Sequence, residues 1–371
     1  MKSPNIIFVL LDGARWDRLE KSQEFQKIAN EGTLLNNVNT AIPYTIGSVN
    51  VIFSGLYGKE NGIDAYYKMF KLKESVKILP EILKEKGYFT ACDLLSERII
   101  SKRGFDIHQF HDEYHDDLTK RHPEFLKECL NKANGKPFFV FLHFTRIHTS
   151  TVSEILKKYE WNDERFYNNK DNNLLNYDNV FNEAGNYTKL IHNTIKELGI
   201  KDETILVFFS DHGTGIGERF GERNYGSFTF EETIRSFYLF IGKEIVKNRI
   251  NTNLRESIDI LPTLLDLTET QGNDLPGKSI IKFLKNKDSD LENKSHVFSE
   301  TGALQGPYPS PMEPNVFCIK NYRYKLIFMK TPNEWKLFDL ISDPMEKNNI
   351  FDENSEIVNE LKTKLELWIK R

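Results

Sequence analysis

The chain has 371 residues, 39% of them hydrophobic and 28% charged, enough for one large α/β domain or two to three smaller units. Its 50 lysines and arginines against 54 acids leave a net charge of −4, so no basic field points to nucleic acid. Cys92, Cys129 and Cys318 are odd in number and lack CxxC spacing, which argues against a disulfide framework or zinc ribbon and fits the reducing cytoplasm.

The opening apolar run is too short, and too soon followed by Asp12, for a signal peptide or a membrane span. Ile6 to Leu11 instead predicts a strand covered on both faces. A carboxylate directly after such a strand, here Asp12, falls at the carboxyl edge of an α/β sheet, where ligands bind. Ser22 to Gly32 predicts a helix stopped by its glycine. Pro43 to Tyr57 then gives turn formers, about two apolar turns and a Ser-Gly stop. A helix starting near Gly47 or Ser48 would aim unpaired N–H groups back at Thr45, an arrangement that attracts anions and suits a hydroxyl nucleophile.

Val76 to Gly87 has helical period and Tyr88 to Ala91 follows as a strand, a further βα unit. Ile107 to Pro123 carries His108, His111, His115 and His122 among Asp112, Glu113, Asp116 and Asp117, and its weak apolar face predicts a solvated insert. Phe138 to Phe144 is a second buried-strand run, delivering His143, Arg146 and His148 at its exit. Two histidines and an arginine at a strand end suit an anion site. Thr151 to Asn176 is Asn- and Lys-rich and predicts a loop or lid, and Tyr177 to Leu198 a helix ended by Gly199. Thr204 to Phe209 is a third core strand, and it delivers Ser210-Asp211-His212-Gly213. An adjacent carboxylate and imidazole at a strand terminus suit a divalent cation with mixed oxygen and nitrogen ligands. Phe237 to Ile241 is one more apolar run, and Ser257 to Leu265 predicts a helix against the sheet. Beyond the charged linker come short strands near Val316–Ile319 and Tyr324–Phe328 and a helix from Ser355.

Taken in this order and spacing, the stretches Asn5–Asp17, Pro43–Gly62, Pro137–His148, Thr204–Gly213 and the closing Trp335–Asn349 resemble the sulfatase family of the alkaline phosphatase superfamily. The resemblance implies a mostly parallel α/β sheet with helices on both faces, spanning residues 1–295, and a small C-terminal α+β subdomain over 296–371. It implies that Asp12, Asp211 and His212 bind a divalent metal cation (Ca²⁺, Mg²⁺, Mn²⁺ or Zn²⁺). Thr45 would be both ligand and nucleophile, with His143, His148 and Arg146 assisting the reaction. Ser48, Arg15 and Tyr225 are the expected substrate contacts.

The departures bear on the chemistry. Sulfatases carry Cys/Ser-x-Pro-x-Arg, whose first residue becomes formylglycine; Thr45-Ile46-Gly47-Ser48-Val49 stands there, and threonine cannot be so converted, so no formylglycine is expected. Gly13 occupies the place of a second metal-binding Asp, and Tyr225 stands about where a Lys or His is usual. The Thr nucleophile looks more like the superfamily's phosphodiesterases and phosphotransferases. The expectation is therefore a metal-dependent hydrolase or transferase of a phosphoester, working through covalent Thr45. Its substrate would be a small anionic ester on a glycan or lipid head group. A sulfuric-ester hydrolase and a catalytically degenerate anion-binding member are the alternatives.

Overall fold

In the computed structural model, residues 3–149, 160–270 and 274–371 are described. The main sheet is built from β1 (Asn5–Leu11), β2 (Thr33–Asn39), β3 (Phe89–Leu94), β4 (Ile107–Phe110), β5 (Phe138–Phe144), β6 (Thr204–Phe209), β7 (Arg235–Ile241), β8 (Arg249–Asn251) and β9 (Arg255–Glu256). Its order is β4-β3-β5-β1-β6-β7-β2-β8, with β9 also on β2. All pairings are parallel except those of β7, which runs antiparallel to both β6 and β2. This is the expected α/β architecture, with one reversed strand inside it.

The unbroken apolar run of β1 follows from its position. Ile6, Phe8 and Leu10 point into one core, with Ile52 and Phe53 of the Thr45–Ser54 helix, while Ile7, Val9 and Leu11 point into the other, with Phe25 and Phe181. A strand between two helical layers has no solvent face to make polar. Phe8, Phe53 and Phe141 pack ring to ring, with Phe53 to Phe141 centroids 4.8 Å apart. The Thr45–Ser54 helix is thereby buried along its whole length.

Two expectations are corrected. The Ile107–Pro123 region is not a solvated insert: it contains β4 and the start of a Leu118–Ala133 helix, and His111 and His122 are buried. Asp93 of β3 holds His111 Nδ1 at 2.9 Å, Arg121 Nε at 2.6 Å and Gln109 at 2.9 Å, and His122 Nδ1 pairs with the Tyr187 hydroxyl. Within Thr151–Asn176, residues 151–159 lie outside the described ones, and from Glu164 the chain is mainly helical, with a 28-residue helix, Lys170–Glu197. Its first turns are polar because only the later ones face the core.

A second sheet is an antiparallel meander of β10 (Val297–Thr301), β11 (Val316–Lys320), β12 (Tyr324–Met329) and β13 (Glu334–Asp339). The closing Ser355–Lys370 helix buries Leu361, Leu365 and Trp368 in the core shared with β1. Where this sheet meets the main body, Lys325 lies fully buried, 2.8 Å from Glu346 and 3.3 Å from Glu231, and Lys320 holds Glu231 at 2.8 Å. Among the described residues, no helix is long and apolar enough to cross a membrane.

Candidate active site

Strands β5, β1 and β6 lie side by side and end on one edge, which brings His143, Asp12 and Asp211-His212 together. Thr45 arrives from above as the first residue of its helix, earlier than the expected start at Gly47 or Ser48. Tyr44 caps that helix in extended backbone without a side-chain hydrogen bond, so the first-turn N–H groups stay directed at the site.

Thr45 Oγ1 lies 3.3–3.4 Å from both Asp12 carboxylate oxygens and 3.3 Å from His212 Nε2. His212 Nδ1 is bonded to the Gly213 carbonyl at 2.8 Å, which assigns its proton there and makes Nε2 the lone-pair nitrogen that faces Thr45. That nitrogen is 3.3 Å from Asp211 Oδ2 and 3.6 Å from Asp12 Oδ1. Asp211 Oδ1 accepts the N–H groups of Gly13 and His212, whereas its Oδ2 is buried with no hydrogen-bond partner.

These separations fit a cation. Ligand atoms at about 2.1–2.4 Å from an ion, set at right angles, stand about 3.0–3.4 Å apart. The charges agree. Burial pushes the Asp211 carboxyl well above the usual carboxylate range, and the Asp12 charge adds to it. Burial acts on Asp12 in the same direction, but His148, His143 and His212 hold it well below its ordinary value. Two buried carboxylates facing one lone pair and one hydroxyl are stable as anions beside a divalent ion. Asp12, Thr45, Asp211 and His212 are the residues that would hold it. A second group, Asp93, His111 and His122, also has ligand atoms within 4.8 Å of one another. There the carboxylate already pairs with Arg121, and the Nε2 atoms of His111 and His122 are buried without a hydrogen-bond partner among the described residues.

His143 is buried under Asp12. Its Nδ1 accepts the Leu95 N–H at 3.4 Å, so Nε2 carries the proton it gives Asp12 Oδ2 at 2.9 Å. His148 Nε2 bonds the Tyr225 hydroxyl, and the Tyr225 ring packs 4.3 Å over His212. Both therefore lie beside the residues around Thr45.

Two expected substrate contacts, Ser48 and Arg15, and one residue expected to assist the reaction, Arg146, are placed otherwise. Ser48 is fully buried and donates to the Asp211 carbonyl at 2.9 Å, so it fixes the ligand loop and faces no substrate. Arg15 is spent on Asp17 at 2.9 Å and Glu218 at 2.6 Å, with 3% of its side chain exposed. Arg146 sits at the surface, half exposed, beside Glu183 at 3.7 Å. Gly13 has φ +71°, and a Cβ there would meet Thr214 Oγ1 at 2.7 Å, so the second Asp that sulfatases place here would be strained. Sequence reasoning missed Glu113, whose carboxylate is buried 3.3 Å from His148 Nδ1. A single acid in a charged run gives no signal for that.

Such a site on such a sheet is of the alkaline-phosphatase-like class. The chain belongs to the sulfatase family: the family model "Sulfatase" matches residues 4–270, and "N-sulphoglucosamine sulphohydrolase, C-terminal" matches residues 223–371. Among curated proteins it is 30% identical to an N-acetylglucosamine-6-O-sulfatase of Bacteroides thetaiotaomicron, over 43% of this chain and 28% of that one. It is 22% identical to a low-salt glycan biosynthesis sulfotransferase of Haloferax volcanii, over 88% of this chain and 76% of that one. The matches to the first three curated relatives span 28%, 33% and 37% of those proteins. Two solved structures share the fold. One is a protein in complex with D-glucosamine-2-N,6-O-disulfate (TM-score 0.77, 18% identity, 100% of this chain and 98% of that one). The other is the phosphonate monoester hydrolase of Agrobacterium radiobacter (TM-score 0.77, 15% identity, 98% of this chain and 94% of that one). The first three curated relatives are named as sulfatases, and the Haloferax protein as a sulfotransferase.

Proposed function

We propose that this chain cleaves or transfers a sulfuric ester carried on a glycan, with Thr45 as the nucleophile. The observation that carries the reading is the Thr45 hydroxyl at a helix N-terminus, 3.3–3.4 Å from Asp12 and His212. The sulfatase and sulfotransferase names of its relatives support sulfur over phosphorus.

A divalent cation bound by Asp12, Thr45, Asp211 and His212 would lower the pKa of the Thr45 hydroxyl and offset the charge of the ester. Thr45 Oγ1 attacks the central atom, and the first-turn N–H groups stabilise the charge that develops on its oxygens. His143 holds Asp12 ionised and in place through the 2.9 Å bond. The His148–Tyr225 pair faces the departing oxygen. Threonine forms a plain covalent ester, so water or an acceptor alcohol must attack the same central atom to release the group. The sulfotransferase name of the relative with long coverage supports an acceptor alcohol. Three free, buried cysteines support a cytoplasmic setting.

A second reading, a phosphoester substrate, rests on Thr45 itself, which cannot become formylglycine. Turnover of nitrophenyl sulfate, nitrophenyl phosphate and bis-nitrophenyl phosphate, each with added Ca²⁺, Mg²⁺, Mn²⁺ or Zn²⁺, separates the two, with Thr45→Ala as control. Sulfate turnover lost in the variant supports the proposal, and phosphate turnover lost in it supports the second reading. Turnover unchanged by Thr45→Ala overturns both.

A further inference from the structure

We propose that Asp93, His111 and His122 form a Zn²⁺ site, separate from the cation site at Thr45, which ties the Leu118–Ala133 helix to the sheet. It shares no ligand with Asp12, Thr45, Asp211 and His212, and it does not depend on the reaction proposed for them.

The three residues come from three successive elements. Asp93 is on β3, His111 directly follows β4, which pairs with β3, and His122 is on the helix after it. One ligand atom from each lies within 4.8 Å of the other two. Zn²⁺ holds nitrogen and oxygen ligands at about 2.0–2.2 Å, which at tetrahedral angles sets them about 3.4 Å apart, so each atom moves under about 1 Å to meet the ion. The cluster is closed to solvent: Asp93 and His122 are 0% exposed and His111 4%.

The partners already in place leave the required donors over. Asp93 Oδ2 accepts Arg121 Nε at 2.6 Å and Gln109 Nε2 at 2.9 Å, whereas Oδ1 has His111 Nδ1 at 2.9 Å. His122 Nδ1 pairs with the Tyr187 hydroxyl at 2.5 Å, which leaves Nε2 for the ion. Fixing a histidine through one ring nitrogen so that the other can ligate is how surrounding groups orient metal ligands. The Nε2 atoms of His122 and His111 are both buried with no hydrogen-bond partner among the described residues. A buried polar atom without a partner is costly and uncommon, and here two fall in one cluster. Hydrogen bonds account for the Asp93 carboxylate but not for those nitrogens.

Donor type selects the ion. Two imidazoles and one carboxylate suit Zn²⁺, while Ca²⁺ and Mg²⁺ favour oxygen ligands. The guanidinium of Arg121 adds positive charge nearby, and Asp116, 3.7 Å from it, offsets that charge. The His111 ring lies 6.1 Å from the ring of His143, which bonds Asp12 at 2.9 Å. The ion would therefore brace the layer behind His143 and take no part in the chemistry at Thr45.

The test measures Zn²⁺ bound to the full chain by equilibrium dialysis, in Asp211→Asn, which disables the Thr45 site, and in Asp211→Asn with His122→Gln. The single variant is expected to retain one equivalent of Zn²⁺, and the double variant to bind it about 100-fold or more weaker. No Zn²⁺ on the single variant, or equal binding by the two, overturns the proposal. A second measurement needs no change in the cluster, so it stands even where His122→Gln fails to fold: nitrogen-15 spectra of the Asp211→Asn protein with and without one equivalent of Zn²⁺. The ring nitrogens of His111 and His122 are expected to shift together. Rings that stay unmoved while Zn²⁺ binds place the ion elsewhere and overturn the site.

Discussion

Replacing Lys325 with Met should destabilise the protein in a manner that depends on pH. The side chain is fully buried, 2.8 Å from Glu346 and 3.3 Å from Glu231. Methionine fills nearly the same volume, so the packing loss is small. The charge loss is not. Lys320 still serves Glu231, but Glu346 keeps only the Glu231 N–H, at 2.7 Å. Burial already pushes the Glu346 carboxyl up to about 7, even with Lys325 opposing it. Without the lysine, Glu346 escapes as the neutral acid. A raised folded value means that the neutral acid is stable at low pH and costs stability as pH rises. Wild type, with its folded value near 7, carries the same cost up to that pH, so the two proteins part only above it, by about 1.4 kcal/mol per unit. The loss from this carboxyl should therefore be small at pH 5.5 and reach about 3 kcal/mol at pH 9. Urea unfolding of Lys325→Met against wild type at both pH values measures it. Adding Glu346→Gln should recover most of the loss at pH 9, because no buried carboxyl is then left to protonate. A pH-independent loss, or a double variant no better than the single, would refute the reasoning.

Asp211→Asn should abolish stabilisation by the divalent cation of the Thr45 site: wild type at about 100 times the dissociation constant should gain about 2.7 kcal/mol, read as a rise of several degrees in melting temperature. The Asp93 carboxyl, against the upward push of burial, is held at about 2 by His111, His122 and Arg121. Its contribution of about 2 kcal/mol is then present above pH 4 and lost as pH falls toward 2. Acid unfolding of Asp93→Asn should show a shallower slope across that window. Gly13→Asp should not tighten cation binding, since the left-handed backbone and the Thr214 hydroxyl stand in the way; thermal unfolding should show a loss of about 1–2 kcal/mol and calorimetry no gain in affinity.

The central strands were readable because β1, β5 and β6 are buried on both faces and admit no polar alternation. Strand β2 was not, since Asn36 and Asn37 interrupt it where its register with β7 shifts. Nothing local marks β7 as reversed either; its direction is set by which strand ends the tertiary fold brings together. Asp12, Thr45, Asp211 and His212 were legible because each follows a strand or opens a helix. Ser48 and Arg15 lie in the same motifs, yet their side chains are consumed by the Asp211 carbonyl and by Glu218. The burial of His111, His122 and Glu113 depends on Asp93, Tyr187 and His148, partners from other elements. A window of sequence around the histidines shows only charge.

The adjacency of β5, β1 and β6 also sets when the site can exist during folding. His143 meets Asp12 across 131 residues, and His212 meets Thr45 across 167. Residues 12 and 45 come from the first tenth or so of the chain, and the remaining ligands only after β6 has docked beside β1. Closing loops of this length is entropically costly and slow compared with forming the helices between them. No early fragment gathers all four ligands, so high-affinity cation uptake there should be among the last properties a refolding chain regains, and a cation added early has no assembled Thr45 site to pull on.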